Sequence, residues 1–271
     1  MRSPAVAGSF YPFSASVLRA DVERYLSEAR ENKVPVKKRL ALVCPHAGYV
    51  YSGKTAAYSF ASCDWKGVET AVVIGPNHTG MGMPISVSFD DWKTPMGELK
   101  CDVKLAEEIV KAGKIARHDE LAHLQEHSCE VQLPFLQKVC PAAKVVCICM
   151  GWQDGKAADE LGRAVFAAVK KLKRRVVVVA SSDFTHYEPA DVARKKDMIA
   201  AERLLALDEK GFEGEVEARG FTICGHGPIA AAMNYAKLAG AKKCELLKYT
   251  NSGEATGDDS EVVAYASFAI S

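Results

Sequence analysis

The sequence predicts an α/β protein in which a mixed, mainly parallel β-sheet lies between two layers of helices. Short runs that are nearly continuous in Val, Ile and Ala recur along the chain, as in strands that are buried on both faces. Segments with apolar residues at helical spacing separate these runs. Neither a linker nor a low-complexity tract interrupts the alternation, so we expect a single domain that covers residues 1–271.

The predicted elements follow one another along nearly the whole chain. We expect strands over residues 40–44, 70–74, 85–89, 144–150, 176–180, 246–249 and 262–270. We expect helices over residues 18–29, 54–62, 103–112, 123–139, 157–172, 190–207 and 228–238. Residues 45–53 are predicted to form a loop, and so are residues 92–99, which contain Pro95 and Gly97.

Charge and cysteine content exclude several classes of protein. The chain has 35 basic and 34 acidic residues, so no strong field attracts nucleic acid or an anionic membrane. The apolar runs are too short to span a bilayer. The nine cysteines are scattered, form no CxxC pair and fit a reducing compartment. Because the first residues show no signal-peptide pattern, we expect a cytoplasmic protein.

Polar residues gather just after the predicted strands, where open α/β sheets bind their ligands. His46 follows the first strand, and His78 follows the second. Asp183 and His186 follow the strand at residues 176–180. Cys224 lies in a Gly-rich turn before the helix at residues 228–238. Converging imidazoles favour a transition metal or acid–base chemistry, although a single loop histidine is more often structural.

The predicted helix at residues 123–139 adds three polar residues. His123 and His127 are four apart and His127 and Glu130 are three apart, so each pair would share a helix face. No Glu follows His123, so the HExxH signature of zinc proteases is missing. The alternative is an ordinary solvated helix face. The chain also lacks a P-loop, a GxGxxG turn and a GxSxG elbow, which argues against the usual nucleotide and serine-esterase chemistries.

The sequence resembles the MEMO family in six blocks that run in order along the chain. The blocks are residues 7–12 (AGSFYP), 45–53 (PHAGYVYSG), 75–80 (GPNHTG), 126–135 (EHSCEVQLPF), 181–186 (SSDFTH) and 222–228 (TICGHGP). The resemblance implies the fold of class III extradiol dioxygenases, which open catechol rings with non-haem Fe(II). It therefore makes the expected fold a three-layer α/β/α arrangement that is extradiol-dioxygenase-like.

The resemblance also implies a set of site residues. His46 and His78 match the two metal-binding histidines of the dioxygenases, and Cys224 takes the place of a cysteine that MEMO proteins hold at the metal. We find no match to the carboxylate ligand of the dioxygenases. Fe(II) is the favoured metal, and a thiolate ligand also suits copper or zinc. Near a metal and imidazoles, we expect Cys224 to be a reactive thiol of low pKa, whereas we expect Cys147 and Cys149 to be inert core residues.

The first hypothesis is therefore a non-haem metal enzyme of redox type. His186 would move protons, and Asp183 would orient a ring or bind substrate. His127 would polarise an oxyanion, with Glu130 in a supporting role. His127 and His186 are also the pair that the resemblance places in the second coordination sphere.

Two other hypotheses stay open at this point. One is a binding module that inherited an enzyme pocket and takes a phosphopeptide or another anionic ligand, either a peptide or a small molecule. The six blocks contain no Arg, which counts against a dedicated phosphate site. The other is a metal carrier or scaffold for a radical-SAM protein, because microbial members of the family are often encoded near such proteins.

Overall fold

A computed structural model describes all residues, 1–271, and contains eleven strands. Two of them, β4 and β5, form a separate hairpin, and the other nine belong to one sheet. The strands are β1 (Ala41–Cys44), β2 (Thr70–Pro76), β3 (Ile85–Val87), β4 (Trp92–Thr94), β5 (Gly97–Leu99), β6 (Ala116–His118), β7 (Lys144–Met150), β8 (Val176–Ser181), β9 (His186–Glu188), β10 (Cys244–Asn251) and β11 (Val262–Ile270).

Nine α-helices surround the sheet, and none is both long and apolar enough to cross a membrane. The helices are α1 (Ala15–Glu31), α2 (Tyr49–Ala61), α3 (Val103–Ala112), α4 (Leu133–Val139), α5 (Gly155–Leu172), α6 (Ala190–Leu205), α7 (Glu209–Arg219), α8 (His226–Leu238) and α9 (Gly253–Thr256). Two short 3₁₀ turns, Leu121–His123 and Glu130–Gln132, precede α4.

The sheet is mixed, with a parallel centre. Its order is β10-β11-β1-β8-β2-β7-β3-β6, and β9 pairs with β11. Strands β1, β8, β2 and β7 run parallel to one another, whereas β11 and β3 run antiparallel to β1 and β7. The prediction of a mixed, mainly parallel sheet flanked by helices is confirmed.

Alternate residues of the central strands face opposite layers of helices, because side chains alternate along a strand. In β8, Val176, Val178 and Ala180 pack on one side with α3, α5, α6, α7 and α8. Val177 and Val179 pack on the other side with α1, α2 and α4. Both faces are therefore apolar, which explains why the central strands read as continuous runs of Val, Ile and Ala.

The predicted helix over residues 123–139 is wrong in its first half. Only Leu133–Val139 is α-helical, and residues 124–129 are irregular. The N–H groups of His127 and Ser128 donate to the Glu126 carboxylate, 2.9 and 2.8 Å away, so they do not complete a helical ladder. Pro134 has no N–H to donate and fits only the first turn of α4.

The structure differs from the predicted elements in three further segments, where the sequence pattern is weak or misleading. Helix α2 begins at Tyr49, inside the segment we predicted to be a loop. Residues 92–99 form the β4–β5 hairpin and not an irregular loop. Helix α7 escaped prediction because it buries only Phe212 and Val216.

Two helical glycines with opposite surroundings give a stability test. A Cβ on Gly162 of α5 would lie 2.7 Å from both the Ala231 carbonyl and the Asn234 Cβ of α8, whereas a Cβ on Gly214 of α7 meets nothing within 4 Å. We expect Gly162→Ala to lower the free energy of unfolding by about 1–3 kcal/mol through overpacking. Gly214→Ala should raise it by up to about 1 kcal/mol through helix propensity. Urea unfolding of both variants measures the effects, and a stabilising Gly162→Ala would contradict the close helix contact.

Candidate metal centre

Three loops leave the sheet side by side at the carboxyl ends of its central strands. Strand β8 lies between β1 and β2 and is parallel to both. The loop after β1 carries His46, the loop after β8 carries Asp183, and the loop after β2 carries His78. Strand order thus brings together residues that are up to 137 positions apart in the sequence.

The loops surround a cleft with a volume of about 500 Å³. Five of the predicted site residues line it, together with an aromatic residue from the N-terminal segment: His46, His78, His127, Asp183, His186 and Phe10. Its imidazoles are close, since the ring of His78 lies 5.2 Å from that of His46 and 4.6 Å from that of His127.

Cys224 joins the two predicted metal histidines. Its Sγ lies 3.2 Å from Nε2 of His46, and the donor atoms of His46, His78 and Cys224 all lie within 4.8 Å of one another. Two ligands of one ion, each bound at about 2.0–2.3 Å, are separated by at most about 4.6 Å. Small rotations of these three side chains would therefore be enough for all of them to bind the same ion. The donor set therefore fits a borderline or soft transition metal.

Hydrogen bonds fix which nitrogen of His46 is free. The Ser181 hydroxyl donates its one proton to the Ser128 carbonyl, 2.6 Å away. It also accepts from the Gln132 amide, which is oriented by a second bond to the Pro45 carbonyl. Ser181 Oγ must then accept from His46 Nδ1 at 3.0 Å. Nδ1 carries the proton, and Nε2 offers its lone pair toward Cys224.

Glu126 orients His78 in the same way. The carboxylate accepts from Nδ1 of His78 at 2.9 Å and from its backbone N–H at 2.5 Å. Burial alone would raise the pKa of Glu126, but the hydrogen bond and charge of His78 and the Ser128 N–H lower it to about 2. A carboxylate on Nδ1 leaves Nε2 as the ligand atom, the arrangement found around many metal-binding histidines.

The sequence analysis missed Glu126, Ser181 and Gln132 as site residues. All three lie inside the blocks at residues 126–135 and 181–186, which was the available signal, and Glu126 stands directly before His127. Another group that could hold a cation consists of His78, Glu126 and His127, with donor atoms also within 4.8 Å. Glu126 already accepts four hydrogen bonds, so we assign it an orienting role.

The low pKa expected for Cys224 beside a metal stays a prediction, because the metal-free thiol has a raised pKa. Burial raises the pKa of Cys224, and the Asp183 carboxylate adds to the rise. The Asp183 N–H donates to Sγ at 3.3 Å, and this hydrogen bond lowers the pKa of Cys224 in part. A cation at Sγ would be needed to make the thiolate the stable form at neutral pH. Burial also raises the pKa of Cys147 and Cys149, as expected for core thiols.

Asp183 supports the loop that follows β1. Its Oδ1 accepts from the His46 N–H at 2.8 Å, and its Oδ2 lies 3.9 Å from His46 Nε2. Burial raises the pKa of Asp183 to about 6, although the His46 N–H lowers it in part. Asp183 can therefore exchange a proton close to neutral pH.

His186 and His127 flank the predicted metal ligands. Nδ1 of His186 donates to the Thr222 carbonyl at 2.8 Å, which leaves Nε2 as the nitrogen without this hydrogen bond. Burial lowers the pKa of His127 to about 4 against the raising effect of Glu126, so the imidazole is neutral at pH 7. The ring of Phe10 lies 4.6 Å from that of His127 and covers one side of it.

The residues predicted to share a helix face with His127 lie elsewhere. His123 is fully buried, with its ring 5.6 Å from that of Trp92. Glu130 is also fully buried and does not line the cleft. The helical pairing with His127 is therefore wrong for both, and so is the alternative of a solvated face.

Glu130 holds the N-terminal segment in place. Its carboxylate forms an ion pair with buried Arg2 and accepts the hydroxyl of Tyr11. It also accepts the N–H groups of Ala5 and Val6, at 2.9 and 3.1 Å. Glu130 thus affects the cleft indirectly: it fixes the N-terminal segment, and this segment places Phe10 against His127.

Fold and cluster together describe an α/β protein that gathers imidazole, thiol and carboxyl groups at one edge of a parallel sheet. The family model described as "Memo-like protein" matches residues 2–269, so the chain belongs to the MEMO family. MEMO1 family proteins from Methanocaldococcus jannaschii and Methanosarcina barkeri are each 44% identical. The alignment covers 98% of both chains for the first and 100% of both for the second.

The chain is also similar to two further proteins. A MEMO1 family protein from Archaeoglobus fulgidus is 43% identical over 98% of both chains. The crystal structure of an uncharacterised protein from Escherichia coli K12 is 15% identical, with a TM-score of 0.49, and covers 72% of this chain and 85% of its own.

The tautomer of His46 can be measured directly. In chelator-treated protein we expect nitrogen NMR of the imidazole to show the proton on Nδ1. Ser181→Ala removes the acceptor, so the tautomer with the proton on Nε2 should appear. Ser59→Ala, at a buried serine that contacts no imidazole, is the matched control and should leave the His46 signals unchanged. A wild-type His46 with its proton on Nε2 would refute the network.

A buried carboxyl behind His186 predicts a pH effect on stability. Asp197 accepts from the Thr185 N–H and hydroxyl and from Tyr249, and burial raises its pKa from 3.8 to about 6. The folded state therefore holds this proton to a higher pH than the unfolded chain does. Relative to Asp197→Asn, the wild type should lose on the order of 2–3 kcal/mol between about pH 4 and pH 6. Urea unfolding at several pH values tests this; a constant difference would contradict it.

Proposed function

We propose that this MEMO-family protein binds a transition metal through His46, His78 and Cys224 and uses it in redox chemistry of the extradiol-dioxygenase type. Fe(II) is the metal we favour, and copper and zinc are the alternatives that a thiolate admits. The carrying observation is that three donors converge while separate hydrogen bonds orient both imidazoles. Such outer hydrogen bonds fix the ring and its tautomer at metal sites.

When bound, the metal would supply Lewis acidity and one-electron redox chemistry. The chain's own groups would manage protons. His186 would take or give a proton at Nε2 while Thr222 holds its Nδ1–H. Asp183, with a pKa of about 6, would bind a substrate hydroxyl or orient its ring. His127 would act as a neutral imidazole beside the reacting oxygen, with Phe10 excluding water from one side.

Anion binding is less well supported than metal chemistry. Neither Lys nor Arg lines the cleft, while Asp183 and Glu261 do. A phosphate would therefore meet carboxylates without a cationic partner, and phosphate sites usually supply Arg. A metal carrier for a radical-SAM partner would use the same three ligands and differs from the enzyme only in lacking turnover.

Thermal unfolding under anaerobic conditions tests the metal proposal. Binding to the folded state alone contributes about 2.7 kcal/mol at a hundredfold excess over Kd. For a chain of this size that corresponds to a rise in Tm of about 5–10 °C. We expect Fe(II) to produce this rise in the wild type and in His186→Ala. The rise should be lost in His46→Ala with His78→Ala and strongly reduced in Cys224→Ser.

His118→Ala is the matched control, because His118 is an exposed histidine outside the cleft. It should keep the full rise in Tm. The absence of a rise with Fe(II), Cu(I) or Zn(II) would refute metal binding by this cluster. A rise lost equally in His186→Ala would make His186 a ligand. Metal analysis of anaerobically purified protein then identifies the metal, and a screen of catechol substrates separates enzyme from carrier.

A further inference from the structure

Tyr187 has a strained backbone and directly follows His186. Its φ is 58°, in the left-handed region that is unfavourable for every residue with a Cβ and rare for a bulky one. The other non-glycine residues with positive φ are Lys33, Lys173 and Leu207. Each of these lies one or two positions after the end of a helix, where a left-handed residue commonly ends the helix. Tyr187 lies inside β9, so this explanation does not apply to it.

The strain belongs to a β-bulge between β9 and β11. His186 pairs with Val263 and Glu188 pairs with Val262, so Tyr187 is the extra residue on its strand. Glycine is the usual residue at a left-handed bulge position, because it adopts a positive φ without strain. A tyrosine here therefore makes the fold less stable than a glycine would.

Packing within the protein does not compensate for this strain. The Tyr187 side chain is 74% exposed, and its aromatic contact is with His186, whose ring centroid lies 5.7 Å away. The exposed ring lines the histidine cleft and thus lies at its mouth. Bulges beside functional sites direct side chains, and strained residues cluster where ligands bind. The strain therefore indicates that the ring contacts a ligand.

The rest of the cleft indicates the kind of ligand. Phe10 and Tyr51 also line it, and Tyr51 is 42% exposed, so a second aromatic side chain lies at the mouth. The cleft volume of about 500 Å³ is in the range of pockets for drug-sized molecules, which is more than a single ring needs. Its charged residues are the carboxylates Asp183 and Glu261, without Lys or Arg, so an anionic group would be repelled.

We propose that Tyr187 determines specificity in this cleft by stacking on a second, uncharged planar ring of the substrate. The first ring would lie at the metal, and this part of the inference rests on the proposed function. The second ring would extend to the mouth, where Tyr187 and Tyr51 are exposed. Aromatic pairs are attractive beyond the apolar area that they bury, so an aromatic substituent should be preferred to a saturated ring of similar size.

Calorimetric titration of the full, metal-free chain with 4-phenylcatechol tests the contact without depending on metal binding. We expect saturable binding that is tighter, by about threefold or more, than that of 4-cyclohexylcatechol, which has a similar size but no planar second ring. Tyr187→Gly should weaken the binding of 4-phenylcatechol by about tenfold. Tyr187→Phe keeps the aromatic ring and should bind within about twofold of the wild type.

Thermal unfolding of the same metal-free proteins tests the strain. Tyr187→Gly should raise Tm by about 2–4 °C, because the left-handed residue then has no Cβ, whereas Tyr187→Phe should not raise it. Lys173→Gly is the matched control, because Lys173 also has a positive φ, 53°, but lies outside the cleft. It should raise Tm as well and leave the affinity for 4-phenylcatechol unchanged.

The proposal is overturned if 4-phenylcatechol does not bind up to about 10 mM, binds no more tightly than 4-cyclohexylcatechol, or binds equally well to Tyr187→Gly. An unchanged or lower Tm in Tyr187→Gly would also overturn it, because Tyr187 would then carry no strain. Failure of the metal proposal gives a different result: the metal-dependent rise in Tm would be missing, while the titrations of the metal-free chain would come out as expected.

Discussion

Because β8 lies between β1 and β2 and runs parallel to both, the loops after these three strands must leave the sheet at one point. The cleft depends on that constraint. His46 and His78 come within 5.2 Å of each other, as ring centroids, although 32 positions separate them, and Asp183 is placed between their strands. A parallel sheet buried on both faces is stiff, so it can hold groups that would otherwise remain apart in water.

The segment before α4, which is irregular at residues 124–129 and forms a 3₁₀ turn at Glu130–Gln132, supplies three buried polar side chains, each with a different partner. Glu126 orients His78, Gln132 binds Ser181 next to His46, and Glu130 holds the N-terminal segment. Burying polar groups is costly unless hydrogen bonds compensate, and here the bonds link loops from distant parts of the chain. A regular helix would have used the N–H groups of His127 and Ser128, which here donate to the Glu126 carboxylate. The hydrogen bonds that position the site residues are therefore also the ones that make this segment irregular.

Prediction from sequence succeeded where one local pattern decides the structure. The ranges predicted for β7, α3 and β11 match those observed, because long apolar runs and a clear helical period admit few alternatives. It failed at residues 123–132, where side chains replace backbone partners, and at α7, whose apolar face has two buried residues. Periodicity carries no information about such long-range contacts.

The same division applies to the candidate site. Position after a strand was enough to bring His46, His78, Asp183 and His186 into one cleft. Cys224 came from family resemblance, since nothing in its spacing places it against His46. The roles of Ser181 and Gln132 could not have been assigned, although both lie in the blocks of resemblance, because those roles depend on hydrogen bonds across 49 and 135 positions. The roles of this serine and this glutamine can be recognised only when the order of the strands in the sheet is known.

The Glu130 anchor also has a consequence for the order in which the chain folds. Arg2 and Tyr11 find their partner 128 and 119 positions later, so during synthesis they leave the ribosome long before it exists. Closing a contact of such sequence separation costs loop entropy and is slow compared with closing a local contact. The strand-end loops share this property, because Asp183 lies 137 positions after His46. The cleft therefore cannot form until the chain has been made at least as far as Asp183, long after Phe10 and His46 have left the ribosome.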